Sequence, residues 1–443
     1  MRTHIVVASF VAVLCVVRTS LLHAADEWPQ FRGPDANGHS AATGLPLTWS
    51  ETEHVRWKTA IPGDGHSSPV ISGDQVWLTT AIPAELSKEE QKLRLSKLKN
   101  PGGLEIAGGL SLRAVCVNRA SGKVERSIEV IAVDKPEPVH SLNSYASPTP
   151  VIEQGRLYCH FGAYGTACLD VESGKVLWKN TEHHVDHQNG PGASPALWDN
   201  RLILNFDGID TQYVAALDKQ SGETAWTTKR SGPMPERAEF RKTYSTPAVV
   251  EHDGRPQVVI PGADWVYAYD PATGGEIWKA AYGMLGFSTV PRPVFGHGMT
   301  FISTSFMRPR LLAVRYDGTG DVTDTHIAWH IDGQLPRKTS MLLIGDELTF
   351  ISDNGIASCL DARTGDEHWK ERIEGNYSAS PLFADGRLYF FSQEGKTTVV
   401  EPGTEYSHLA ENSLDGGFMT SPAVAGKAIY LRSESHLYRI END

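Results

Sequence analysis

Short apolar runs bounded by turn-forming residues recur along most of this chain. Gly155-Arg-Leu-Tyr-Cys-His-Phe161, Asn200-Arg-Leu-Ile-Leu-Asn-Phe206 and Gly386-Arg-Leu-Tyr-Phe-Phe391 are three of them. Each is β-branched or aromatic in character and too short for a stable helix, so each predicts a strand. Between these runs one phrase returns with variations. It reads Asp170-Val-Glu-Ser-Gly174-Lys-Val-Leu-Trp178, then Asp218 to Gly222 to Trp226, Asp270 to Gly274 to Trp278, and Asp361 to Gly365 to Trp369. A strand runs into the Asp, the chain turns at the Gly, and a second strand leaves carrying the Trp. Gly supplies the positive φ of a tight turn, and the Asp side chain caps it.

The repeats open at Ser68-Pro69, Ser147-Pro148, Ser194-Pro195, Thr246-Pro247, Ser380-Pro381 and Ser421-Pro422, with diverged starts near Thr289-Val-Pro291 and Thr339-Ser-Met341. Each unit then holds four strands, a to d. Successive Trp positions at 126, 178, 226, 278, 329, 369 and 409 lie 40–52 residues apart, although Arg126 and Leu409 replace the Trp. Four strands in that length make one propeller blade. The last unit has only three strands. The orphan strand His54-Val-Arg-Trp57-Lys-Thr-Ala-Ile61 supplies the fourth, which closes the ring and removes an exposed edge. The expected fold is an all-β, eight-bladed β-propeller of four-stranded blades, closed by residues 54–61.

Residues 1–25 read as a signal peptide: Arg2 and His4, an apolar run from Ile5 to Val17, then small residues at Ala24 and Ala25. Residues 26–53 read as an irregular segment across one end of the body, and 54–443 as a single propeller. Inside it, 83–100 reads as a helical insertion opened by Pro83. These readings predict an exported protein, periplasmic or extracellular, with no transmembrane segment, and a monomer.

The 443 residues carry a formal net charge of −12, which argues against nucleic acid as a partner. Cys159 and Cys168 flank one hairpin and could pair or stay free. Chemistry belongs on the face that carries the b–c and d–a loops. Its candidate ligand residues are Asp186, His187, Asp207, Asp210, Lys242, Asp264, Arg292, Arg308, Asp353 and Arg432. Mixed carboxylates and arginines suit a polar small molecule, or an envelope protein or peptide. His183 and His187 are the candidate metal ligands, lacking a third from their own loop. No catalytic residue is assigned.

Ala216-Leu-Asp218 and Ala268-Tyr-Asp270, with the Gly and Trp that follow, resemble the tryptophan-docking repeat of pyrroloquinoline-quinone-type eight-bladed propellers. The resemblance covers roughly residues 55–440. It implies either a non-enzymatic scaffold, similar to the propeller subunit of the outer-membrane β-barrel assembly machinery, or a quinoprotein dehydrogenase. The opening Trp28-Pro-Gln-Phe-Arg-Gly-Pro34 also resembles exported propeller proteins of planctomycete-type bacteria. A dehydrogenase of alcohols or sugars would use pyrroloquinoline quinone with calcium, an adjacent cysteine pair and an Asp base. This chain has no adjacent cysteines, so no cofactor is expected and the scaffold reading is preferred. A polysaccharide-acting propeller is a third reading.

Overall fold

The computed structural model describes residues 26–98, 100–284 and 286–443. The signal-peptide reading of residues 1–25 lies outside them. Eight four-stranded antiparallel sheets follow one another along the chain. Blade 1 spans 70–133, blade 2 151–180, blade 3 196–229 and blade 4 248–281. Blade 5 spans 294–332, blade 6 342–372, blade 7 382–413, and blade 8 423–441 with its outer strand Val55–Ala60. That outer strand pairs antiparallel with His436–Glu441, Ala60 opposite His436, and so joins the two ends of the ring. Among the described residues no helix is long and apolar enough to cross a membrane.

The repeated phrase forms each blade's c–d hairpin. In blade 2, Asp170 Oδ1 accepts the Ser173 N–H at 2.8 Å and the Ser173 hydroxyl at 2.6 Å, and the Gly174 N–H returns to the Asp170 carbonyl. Gly174 takes φ +73° there. The Trp of the phrase then reaches the hairpin of the next blade. Trp178 Nε1 donates to the Lys219 carbonyl, Trp226 to Pro271, Trp329 to Ala362 and Trp369 to Gly403. Arg126 does the same work in blade 1 by donating to the carbonyls of Val171 and Glu172. Trp278 differs. The c–d connection of blade 5 is irregular and lays Gly320–Asp321 beside blade 4, so Trp278 is covered and bonds Gln257 instead.

The core is a circle of apolar clusters, most of them wedged between two neighbouring blades. This placement separates Cys159 from Cys168. Cys159 pairs with Ala167 and Cys168 with Tyr158, so the two thiols leave opposite faces of blade 2. Cys159 enters the cluster shared with blade 1 and Cys168 the cluster shared with blade 3; both are free.

Three details differ from the sequence reading. The inner strand of blade 2 starts at Thr149-Pro150, because Val151 is its first paired residue; the preceding Ser147-Pro148 belongs to the loop. Blade 5 starts at Arg292-Pro293, one residue after the expected site. The insertion is helical only over Lys88–Leu95, capped by the Ser87 hydroxyl, while Pro83 lies within strand b of blade 1, which runs to Ala84.

Residues 28–40 cross the channel at the end where the a–b turns lie. Trp28 bonds Ile71 of blade 1 in both directions, Pro29 accepts from Ile152 of blade 2, and Gly38 accepts from Phe383 of blade 7. His39–Ser40 then adds a parallel strand inside blade 7. Above this floor the channel remains open toward the b–c and d–a loops.

Candidate functional site

The residue two places before each inner strand lies toward the axis. In seven blades it is Ser or Thr: Ser68, Thr149, Ser194, Thr246, Ser340, Ser380 and Ser421. These residues link the blades. At six of the eight places the backbone N–H donates to the hydroxyl of the next blade: Ser68 to Thr149 (2.9 Å), Thr149 to Ser194 (2.9 Å) and Ser194 to Thr246 (3.0 Å). The run resumes with Arg292 to Ser340 (3.0 Å), Ser340 to Ser380 (2.9 Å) and Ser380 to Ser421 (2.9 Å). Arg292 holds the eighth place.

This ring is the lower wall of a cup of about 580 Å³, large enough for a small organic ligand or a peptide end. Phe31 of the crossing segment lies at its base. Tyr244, Phe287 and Phe306 form aromatic walls. The charged lining is Lys242, Arg337 and Lys338 against one carboxylate, Asp353. Asp353 Oδ1 accepts the Arg337 N–H at 3.0 Å and Oδ2 lies 3.6 Å from Lys338 Nζ. The cup is therefore cationic in a chain of net charge −12.

Lys242 donates to Gln188 Oε1 and to the Glu239 carbonyl, and its Nζ lies 5.7 Å from the centre of Phe287. Burial lowers its pKa to about 8, so it is still mainly charged at neutral pH. His140 and His66 complete the basic lining. Burial lowers both, with Lys242 and Lys338 pushing His140 further and Arg432 pushing His66 to about 4. His140, Lys242 and Lys338 come from the d–a loops of alternate blades and meet above the axis.

The sequence-predicted residues divide into three groups. Lys242 and Asp353 line the cup. Asp186 and Asp210 stand behind Lys242. Asp210 Oδ1 accepts the Asp186 N–H, Asp186 Oδ1 accepts the Gln188 N–H, and Gln188 bonds Lys242. His187 is buried beside Tyr244; its Nε2 accepts the Ala163 N–H at 3.1 Å. Asp264, at φ +61°, accepts the Gly286 N–H and anchors the loop after blade 4. Arg308 is exposed in a shallow hollow beside Met284 and Asp332, away from the cup.

Four expectations are corrected. Asp207 is only 1% exposed and belongs to the interior of blade 3, where Arg230 grips both its oxygens at 3.0 and 2.8 Å and Thr243 adds a third bond. Arg432 is buried and braces blade 8 to blade 1 through Ser67 and the Thr79 carbonyl. Arg292 projects onto the axis below the hydroxyl ring. His183 and His187 do not meet at a metal. His183 gives its ring nitrogens to the hydroxyls of Tyr213 and Thr224, and among the described residues no cluster of three ligating side chains forms. The basic pair Arg337-Lys338 was legible as charges just before an inner strand, but only the ring brings it opposite Lys242.

A family model described as "Outer membrane protein assembly factor BamB" matches residues 84–228 and 210–443. The chain belongs to this family. A curated family relative, outer membrane protein assembly factor BamB of Legionella pneumophila (strain Paris), is 25% identical over 174 residues, which is 37% of this chain and 42% of that protein. The chain therefore spans about two-fifths of the length of that relative. The crystal structure of BamB from Moraxella catarrhalis aligns over 87% of this chain and 99% of its own, at 13% identity and a TM-score of 0.56. Quinohemoprotein alcohol dehydrogenase from Comamonas testosteroni aligns over 96% of this chain and 82% of its own, at 10% identity and a TM-score of 0.64. At such identities these two likenesses show the propeller fold and nothing of its chemistry.

The single carboxylate in the described lining of the cup, Asp353, is engaged by Lys338 and the Arg337 N–H. The cysteines Cys116, Cys159, Cys168 and Cys359 are all buried within the blades.

Proposed function

We propose that this protein is an exported, non-catalytic binding propeller of the cell envelope, which holds a segment of a protein partner across its loop face. The observation that carries this reading is where large apolar side chains are exposed. Among the described residues, seven of the eleven exposed large apolar side chains, Ile82, Leu93, Leu98, Leu142, Met284, Phe306 and Met307, sit on loops, on the insertion, or at strand ends of the b–c and d–a face, while Leu47, Val124, Leu177 and Leu409 lie elsewhere. Met284 is 85% exposed, and Leu142 and Phe306 border the cup itself. Apolar side chains gathered around a polar, cationic recess suit a partner that contributes both apolar contacts and a carboxylate. Membership of the family supports an assembly role, and the apolar run in residues 5–17 supports export.

The reading is tested against the dehydrogenase by titrating purified protein with pyrroloquinoline quinone and calcium. The expected outcome is no saturable binding and no dye reduction with alcohols or sugars. Saturable binding with substrate-dependent dye reduction would overturn it.

A further inference from the structure

Two arginines meet on the propeller axis beneath the cup. Arg292 occupies the place, two before the inner strand, where the other seven blades carry Ser or Thr. A guanidinium has no acceptor, so the chain of hydroxyl bonds is interrupted there. Its Nε donates to the Pro247 carbonyl at 3.2 Å and its Nη1 to the Ala36 carbonyl. Arg32 lies on the crossing segment, and its Nη2 donates to the carbonyls of Asn37 at 2.6 Å and Met341 at 2.5 Å. The two side chains thus donate to adjacent carbonyls of the crossing segment, Ala36 and Asn37, Arg292 from blade 5 and Arg32 from within the segment, and Arg32 also reaches Met341 just before the inner strand of blade 6.

Their charge has no ion-pair counterpart among the described residues. Arg32 is 2% exposed and Arg292 7%. Every described partner of either is a neutral carbonyl. Among the described residues no ion pair includes them. Asp35 is the sole acid in residues 28–40, and it is exposed. Nε and Nη1 of Arg32 are buried donors with no partner among the described residues. Burial, and then the nearby Arg292, together lower Arg32 to about 9, and burial lowers Arg292 to about 10. Both therefore remain cations at neutral pH. Two unpaired cations at one buried place are strongly unfavourable unless an anion joins them.

We propose that Arg32 and Arg292 hold a small inorganic anion of halide class on the axis, and that this ion fastens residues 28–40 across the channel. The site is crowded. A Cβ at Gly38 would stand 2.6 Å from Arg32 Nη2, which favours a monatomic ion over sulfate or phosphate. The ion supplies the missing charge and an acceptor for the unpaired Arg32 donors.

The test compares thermal unfolding in sodium chloride, bromide and gluconate at constant ionic strength. The wild-type protein should gain several degrees, saturably, with chloride or bromide but not gluconate. Arg292→Ser, which restores the hydroxyl of the other blades, should lose most of that gain. Crystals grown in bromide should show an anomalous peak between the two guanidinium groups, a result that needs no variant to fold. Equal stability in the three salts, an undiminished halide response in Arg292→Ser, or a bromide map without that peak would each overturn the proposal.

Discussion

Trp178 lies flat against Gly222 of the next blade, where a Cβ would stand only 2.4 Å from the indole Cε3. The same indole donates to the Lys219 carbonyl at 3.2 Å. Glycine in the repeated phrase therefore has two causes, a left-handed turn and a docking surface for the preceding blade. Trp226 against Gly274 repeats the contact at 2.5 Å, and Trp57 against Gly122 at 2.7 Å.

The two causes can be separated by alanine. Gly222 has φ +78° and Gly254 has φ +72°, but nothing lies within 4 Å of a Cβ at Gly254. Gly254→Ala should cost only the left-handed backbone, about 1 kcal/mol. Gly222→Ala should also displace the indole and cost roughly 2–4 kcal/mol in all. Urea unfolding of both variants measures the difference; equal losses would mean that the turn alone explains the glycine.

Asp207 and Arg230 are a buried pair, and Arg230 also lies 4.9 Å from the centre of the Tyr267 ring. The Asp207 carboxylate is one of the causes that raise the Arg230 pKa. Asp207→Asn leaves that guanidinium charged and uncompensated, and should destabilise the protein by about 3–5 kcal/mol. The same denaturant curves measure it. A loss below about 1 kcal/mol, the range of an exposed pair, would contradict the interior placement.

Two buried histidines, His160 and His187, and the half-buried His66 of the cup predict the response to acid. Burial lowers His187 and His66 to about 4 and His160 to about 3, from an unfolded value near 6.5. Between pH 6.5 and those values the unfolded chain binds more protons than the folded one. Stability should thus be full above pH 6.5 and fall as pH drops toward 4. Unfolding free energies at pH 7, 6, 5 and 4 test this, and a flat profile over that window would refute it.

Lys242 sets the pH dependence of the cup. Its charged form is lost as pH rises through about 8. Capture of an envelope partner should weaken between pH 7 and 9, and Lys242→Arg should remove that dependence, because a guanidinium stays charged there. Pull-down yields from envelope extract at the two pH values provide the measurement.

The ring was legible because its turns, spacing and Trp positions depend on local sequence repeated many times. The cup was only partly legible, since its residues come from loops that differ between blades. Lys242 and Asp353 read as charges on loops, and both line the cup. Asp207 reads as a loop carboxylate because Gly208 follows it, while its partner Arg230 lies at the end of another strand. Arg292 and Arg432 read as face residues for the same reason. Only closure of the ring turns them inward.

The account depends most on the loop face being the binding face. A photoreactive amino acid replacing Leu142 or Phe306 at the cup, or Val124 or Leu177 on the outer strands, can be irradiated in cells that produce the protein. The account predicts a discrete adduct with an envelope protein from positions 142 and 306 and none from 124 and 177. Adducts from the outer strands alone, or from all four positions alike, would contradict it.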